Sequence, residues 1–264
     1  ITIEMLPLSF AEYVKSTGNT NELNHKFTRY IETSSFPYVL KLNGNPREIN
    51  EYLQGIYSTV ILKDVVSRYN ISDVMMLESI LRFVFDNIGN QLSTKKISNS
   101  MLSAGRKIDV KTVEKYLSTL LNSYIVYQAK RYDVKGKQYL KTLDKYYIVD
   151  IGMRSLLLGK RNVELGHILE NIVYLELLRR GFRVFVGKVD DTEVDFVALN
   201  SEGIVYYQVT ASVRDEKTLR RELLSLQKIP DHYPKYILTL DDDPDEDFSG
   251  IKKINVLHWL IKQK

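Results

Sequence analysis

Residues 193–210 read EVDFVALNSEGIVYYQVT, two strand-like runs, Glu193–Leu199 and Ile204–Ala211, on either side of Asn200–Gly203. Side chains alternate along a strand, so Asp195 is expected opposite Val194 and Phe196, with Gln208 and Thr210 sharing one face of the neighbouring strand. An aspartate inside a Val-x-Phe-Val run is not an ordinary turn residue. Upstream, Leu165–Arg180 repeats at helical spacing and stops at Gly181, a good residue for a left-handed C-terminal cap. Glu170 lies on that helix with Val173 and Leu177 three and seven positions on, so its carboxylate flanks the apolar face. A strand at Arg183–Gly187, a helix at Glu216–Gln227, a strand at Lys235–Leu240 and a terminal element at Val256–Ile261 complete the pattern. Residues 160–264 are therefore predicted to form an α/β domain with a mixed sheet, with the acidic run DDDPDED at 241–247 as a solvated loop.

A helix glutamate, a strand aspartate and an acid-x-lysine pair on the next strand make the layout of the restriction-endonuclease-like, PD-(D/E)xK nucleases. Their carboxylates hold Mg²⁺ and their lysine positions or activates the attacking water. The candidate catalytic set is Glu170, Asp195, Gln208 and Thr210, and the candidate metal ligands are Glu170, Asp195 and Gln208. Gln208 offers a carbonyl oxygen without charge, and Thr210 brings no cation for developing phosphate charge. A degenerate centre is the expectation, with Lys188 the nearest lysine in sequence that could be recruited. Set against this, a helix glutamate such as Glu170 usually stays solvated, and Gln208 can serve as a buried hydrogen-bonding residue.

Before this domain, residues 71–155 read as a winged helix-turn-helix. Val74, Leu77, Leu81, Val84 and Ile88 give one amphipathic helix. Ser93-Thr94 caps a second, and Asp109 caps a third that carries Val113, Leu117, Leu120 and Leu121. The runs Tyr124–Lys130 and Gln138–Val149 then alternate as a hairpin. Arg106, Lys107, Lys111 and Lys115 lie before and on the presumed recognition helix, and Lys130, Arg131, Lys135 and Lys137 on the wing. This layout suits duplex DNA, the helix entering the major groove and the wing neutralising phosphates. Winged helices also serve as protein-docking modules, so a protein partner stays open. Residues 1–70 hold a strand at Ile1–Met5, a helix from Glu22 to Pro37 and a helix over 47–70, a small helical part rather than an independent unit.

Composition closes several routes. The 264 residues contain no cysteine, which removes disulfides and thiolate metal sites. No apolar run reaches the roughly 20 residues a membrane span needs, and residues 1–14 carry no basic start or cleavage site of a secretory signal. A cytoplasmic protein without membrane contact is the expectation. The four histidines, His25, His167, His232 and His258, form no spaced metal pair. No phosphate-cradling G-x-x-x-x-G-K-[ST] is present, so no nucleotide site or ATPase activity is expected in this chain. The net charge of +4 is mild. The first residue is not Met and begins inside an alternating pattern, as in a piece of a longer protein.

Several motifs in order make the chain resemble a large bacterial and archaeal family of AAA-type ATPases with a C-terminal domain of unknown function. They are Met5-Leu6-Pro7-Leu8-Ser9-Phe10-x-Glu12-Tyr13, Phe36-Pro37 preceded by Ser34-Ser35 in place of the family's glycines, and Tyr52-Leu53-x-Gly55-Ile56-Tyr57. Leu62-Lys63-Asp64-Val65 with Arg68, Gly166-x-x-x-Glu170-Asn171 and Glu193-Val194-Asp195-Phe196-Val197 continue the series. The resemblance implies an N-terminal ATPase domain of the same protein, absent from this chain, whose Walker motifs bind ATP and Mg²⁺. It implies too a winged-helix segment and a nuclease-like fold, with Gln208-Val209-Thr210 where typical members carry Glu-Val-Lys. Three functions stay open: a DNA- or partner-binding module with an inactive nuclease-like domain, a Mg²⁺-dependent DNA endonuclease with a variant site, and a protein-interaction module without nucleic acid.

Overall fold

The computed structural model describes residues 4–18, 22–140, 143–159 and 164–262. The chain opens on α1 (Phe10–Ser16), fixed by a reciprocal cap in which the Ser9 hydroxyl takes the Glu12 N–H and the Glu12 carboxylate takes the Ser9 N–H. Then come α2 (Leu23–Glu32), a 3₁₀ turn at Pro37–Leu42 and α3 (Pro46–Ile56). The helix predicted over 47–70 continues past α3 as a π-helix, Tyr57–Val65, and ends in α4 (Val66–Tyr69), where Asn70 turns left-handed. Of the strand expected at Ile1–Met5, Ile1, Thr2 and Ile3 lie outside the described residues, and Glu4 and Met5 form no strand.

The next unit is α5 (Val74–Asp86), β1 (Gln91–Leu92), α6 (Thr94–Ser103), α7 (Val110–Asn122), β2 (Val126–Ala129), β3 (Arg131–Asp133), β4 (Gln138–Tyr139), β5 (Asp144–Ile148) and α8 (Ile151–Leu158). The side chains of Asp73, Ser93, Asp109 and Asp150 each accept the N–H three residues on, which fixes the starts of α5, α6, α7 and α8. The sequence pattern missed α8 and β1. Strands β1, β5 and β2 form a three-stranded sheet with β5 in the middle.

The last part runs α9 (Leu165–Arg179), β6 (Arg183–Val189), β7 (Thr192–Asn200), β8 (Gly203–Thr210), α10 (Glu216–Gln227), β9 (Lys235–Thr239), β10 (Glu246–Phe248), β11 (Ile251–Asn255) and α11 (Val256–Ile261). The fold is mixed α/β, helical toward the N-terminal part, with an eight-stranded mixed sheet in the order β10-β11-β9-β8-β7-β6-β3-β4. Glu246 and Asp247, predicted in a solvated loop, pair as β10 with Lys253 and Lys252.

Two departures from strict alternation shape the site. The hairpin tip is not a free wing: β3 adds parallel to β6, Arg131 opposite Val186 and Asp133 opposite Lys188. Tyr132 and Val134 are buried in the core under α10, and the edge of β6 gains a partner for its backbone. The second departure is a bulge. Phe185 pairs with Val197 but Gly187 with Val194, so β7 spends one extra residue at Asp195–Phe196. Val194 therefore packs in the core on the α10 side and Phe196 in the core on the α9 side, not on one face as alternation predicts.

Helix α9 is buried nearly all round from Leu169 to Leu177 because it lies between the large sheet and β5. Its Asn171 latches β5 through both edges of one peptide pair: the Ile148 N–H donates to Oδ1 at 2.8 Å and Nδ2 donates to the Ile148 carbonyl at 2.9 Å.

Candidate functional site

On β5, Lys145 and Tyr147 share the face toward α9, while Tyr146 and Ile148 pack into the helical core on the other side. Lys145 is 4% exposed. Its ammonium lies 2.8 Å from Glu170 Oε1, 2.7 Å from Glu193 Oε1 and 3.5 Å from Asp195 Oδ1. Tyr147 Oη donates to the same Glu170 oxygen at 2.6 Å and stacks on Tyr174 at 4.2 Å. Three segments distant in sequence thus meet at one charge cluster: a hairpin strand, a helix and a bulged strand.

The bulge aims Asp195 into this cluster. Its N–H donates to Gln208 Oε1 at 2.6 Å, and its Oδ2 accepts the Val209 N–H at 2.9 Å. Gln208 Nε2 donates onward to Glu222 Oε2 at 2.7 Å, and Arg221 holds the other Glu222 oxygen at 2.7 Å. The amide of Gln208 is therefore spent as a bridge between strand and helix, with no oxygen turned free toward the carboxylates. Thr210 lines the same cleft, and its hydroxyl donates to the Ser212 carbonyl at 3.4 Å.

Burial, reinforced by the Glu170 charge, pushes the Asp195 carboxyl up to about 8, with Lys145 and the Val209 N–H pulling the other way. For Lys145, burial alone would lower the ammonium, but Glu170, Asp195 and Glu193 outweigh it and hold the group above its usual range. Burial and then Glu170 raise the Tyr147 phenol.

The predicted set is partly assembled. Glu170, Asp195 and Gln208 come together, and Glu170 is buried, not solvated. The lysine at the carboxylates is Lys145; Lys188 is half-buried on β6, paired in register with Asp133 and Glu193. Lys145, Tyr147, Glu193 and Glu222 escaped the sequence reading. A usable signal was present for three of them, since Lys145-x-Tyr147 and Glu193-x-Asp195 each place polar groups two apart on a strand.

The residues fit a resident Mg²⁺ poorly. Mg²⁺ needs oxygens at about 2.0–2.1 Å, whereas the three carboxylate oxygens stand 2.7 to 3.5 Å around an ammonium that fills their centre. Among the described residues no group of three histidine, aspartate or glutamate side chains is set to hold a metal ion.

The basic residues fall into two groups. Lys107, Lys111 and Lys115 are exposed at and along α7, with Arg106 half-buried before it. On the hairpin, Lys130 and Lys137 are exposed, Lys135 is paired with Asp190 at 2.6 Å, and Arg131 is half-buried on β3 with an Nε that has no hydrogen-bond partner among the described residues. No helix among the described residues is long and apolar enough to cross a membrane.

Residues 24–164 match the family described as "Domain of unknown function (DUF8612)", and the chain belongs to that family. It is 36% identical to an "Uncharacterized protein" of Haemophilus influenzae over 99% of the chain and 65% of that protein. It is 29% identical to "Uncharacterized protein MJ1544" of Methanocaldococcus jannaschii over 96% of the chain and 59% of that protein. The chain thus spans 65% and 59% of the lengths of these two curated relatives. No solved structure matches it.

Proposed function

We propose that the chain is a duplex-DNA-binding module whose nuclease-like domain does not cleave, joined in the full protein to an AAA-type ATPase domain that binds ATP and Mg²⁺. The observation that carries DNA binding is the open face of α7. Val113, Tyr116, Leu117 and Leu120 turn inward, leaving Lys111, Lys115 and Ser118 exposed along one side, with Lys107 just before it. A capped helix following a shorter one, with cations on its outer side, is what a winged helix-turn-helix offers a major groove. The hairpin contributes less than its composition implies, because its tip strand joins the large sheet and Lys135 is engaged by Asp190.

The inactive half of the proposal rests on chemistry. A helix, three strands, a helix and a strand, with Glu170 and Asp195 at one end, support a PD-(D/E)xK-like reading of the last domain. Lys145 occupies the space between its carboxylates, and its Gln208 is bridged to Glu222. The ATPase association rests on sequence motifs, and a cytoplasmic setting accords with a DNA partner. The competing reading, a divalent-cation-dependent endonuclease, draws on the same lysine as a recruited catalytic cation.

Incubation of the chain with labelled duplex DNA and Mn²⁺, analysed on native and denaturing gels, separates these. Retarded but intact DNA is expected. Cleavage that vanishes in Asp195→Ala would establish the nuclease, and intact DNA with no retardation at physiological salt would leave only a protein-interaction module.

A further inference from the structure

The mismatch between the carboxylate spacing and a resident Mg²⁺ has a positive side. We infer that Lys145 is the built-in cation of this centre, delivered by the sheet of the helix–hairpin unit, and that a divalent cation enters only when Lys145 leaves. This goes beyond DNA binding and stands or falls without it.

The contacts are specific to a cation and come from one side. An ammonium carries three N–H donors, and Lys145 directs its charge toward three carboxylates within 3.5 Å. Those carboxylates sit on α9 and β7, which belong to the large sheet's layers, whereas the lysine arrives on β5. The neighbouring strand supports the same insertion. Gln91 on β1 donates to Glu193, and the backbone at Gly89, in a left-handed conformation with φ +72°, lies so close that a Cβ there would stand 3.2 Å from Glu170 Oε2. The β1–β5 side of the three-stranded sheet thus covers the carboxylates as well as supplying their cation. Asn171 holds β5 in place from α9, next in sequence to the glutamate that takes the lysine.

A divalent cation and this ammonium need the same oxygens and repel one another, so occupancy is exclusive. The lysine also sets the charge balance: one cation serves Glu170, Glu193 and Asp195, and the centre without it gathers acidic groups in a dry, low-dielectric place where a hard cation is the natural replacement.

Mn²⁺ alone is the probe, followed by its electron-paramagnetic-resonance signal at neutral pH. The wild-type chain is expected to leave Mn²⁺ free at millimolar concentration. Lys145→Met is expected to bind one Mn²⁺ at least tenfold more tightly than wild type, and Lys145→Met with Glu170→Gln and Asp195→Asn to lose that gain. A folded Lys145→Met chain that binds no Mn²⁺, or a wild type that binds it equally well, overturns the inference. Should Lys145→Met not fold, wild type labelled with ζ-¹⁵N lysine answers the same question. A buried ammonium gives a slowly exchanging signal, expected to keep its position and intensity as Mn²⁺ rises to millimolar levels; its loss at such levels overturns the inference.

Discussion

Lys145 and Glu170 meet at 2.8 Å across the junction between a hairpin strand and the long helix α9, and both are almost completely buried. Taking two charges out of water is costly, and their attraction offsets that cost only while both partners are present. Removing one strands the other.

Lys145→Met is accordingly expected to destabilise the chain by about 3–5 kcal/mol, the cost of leaving a buried charge without its partner. Lys145→Met combined with Glu170→Gln is expected to recover part of that loss, because the carboxylate that suffers most is neutral. Urea unfolding of the three proteins checks this. A single variant as stable as wild type would mean that the pair contributes nothing to holding β5 against α9.

Asp195 gives a pH dependence with a definite sign. Its carboxyl sits at about 8 in the folded chain because of burial and the Glu170 charge, against roughly 3.9 for an unfolded aspartate. Below about pH 4 both states hold the proton. Between about pH 4 and 8 the unfolded chain has lost it and the folded chain keeps it, so stability falls as pH rises, by up to about 1.4 kcal/mol per pH unit, and levels off above. Asp195→Asn keeps an oxygen for the Val209 N–H and has no proton to lose. The stability of wild type relative to Asp195→Asn should therefore drop between pH 5 and pH 7. A constant difference, or one that moves the other way, would contradict the raised carboxyl.

Gly152, on the first turn of α8, is the glycine with least room for a side chain among the described residues. A Cβ there would lie 2.0 Å from the Thr33 carbonyl oxygen. This close approach accompanies the buried Asp150 carboxylate, which takes the Ser35 N–H and hydroxyl, both at 2.6 Å. Gly152→Ala should cost at least the upper end of the roughly 1–3 kcal/mol typical of overpacking, read as a lowered thermal midpoint. An unchanged midpoint would show that α8 can slide away from the Ser34-Ser35 turn.

Much of this fold was legible in the sequence where local signals were strong. The caps at Ser93 and Asp109, the stop at Gly181 and the order of helices and strands from Leu165 to Thr239 follow from residue chemistry within a few positions. What sequence did not disclose depends on distant partners. Strand β3 looks like a basic wing because it carries Arg131 and is flanked by Lys130, Lys135 and Lys137, yet Tyr132 and Val134 are drawn into the larger sheet's core. The face change between Val194 and Phe196 comes from a bulge against β6, which no count along β7 reveals. Lys145 stands in a stretch of sequence rich in lysine; only the meeting of β5 with α9 and β7 makes it the centre's charge. The sequence places Glu170 beside an apolar face but leaves a solvated carboxylate open, because the strand whose Lys145 meets it lies 25 residues away in sequence.

DNA binding through α7 is tested most directly by fluorescence-anisotropy titration of a labelled duplex over a salt series, comparing wild type, Lys111→Ala/Lys115→Ala and Lys135→Ala. Each phosphate contact removed lowers the log–log salt slope by about 0.9. The double variant is expected to bind more weakly at every salt concentration and with a slope lower by about 2. Lys135→Ala, which removes only a cation already paired with Asp190, is expected to match wild type. Wild-type binding that is indifferent to salt, or a double variant indistinguishable from wild type, would contradict the assignment of α7 as the DNA-contacting helix.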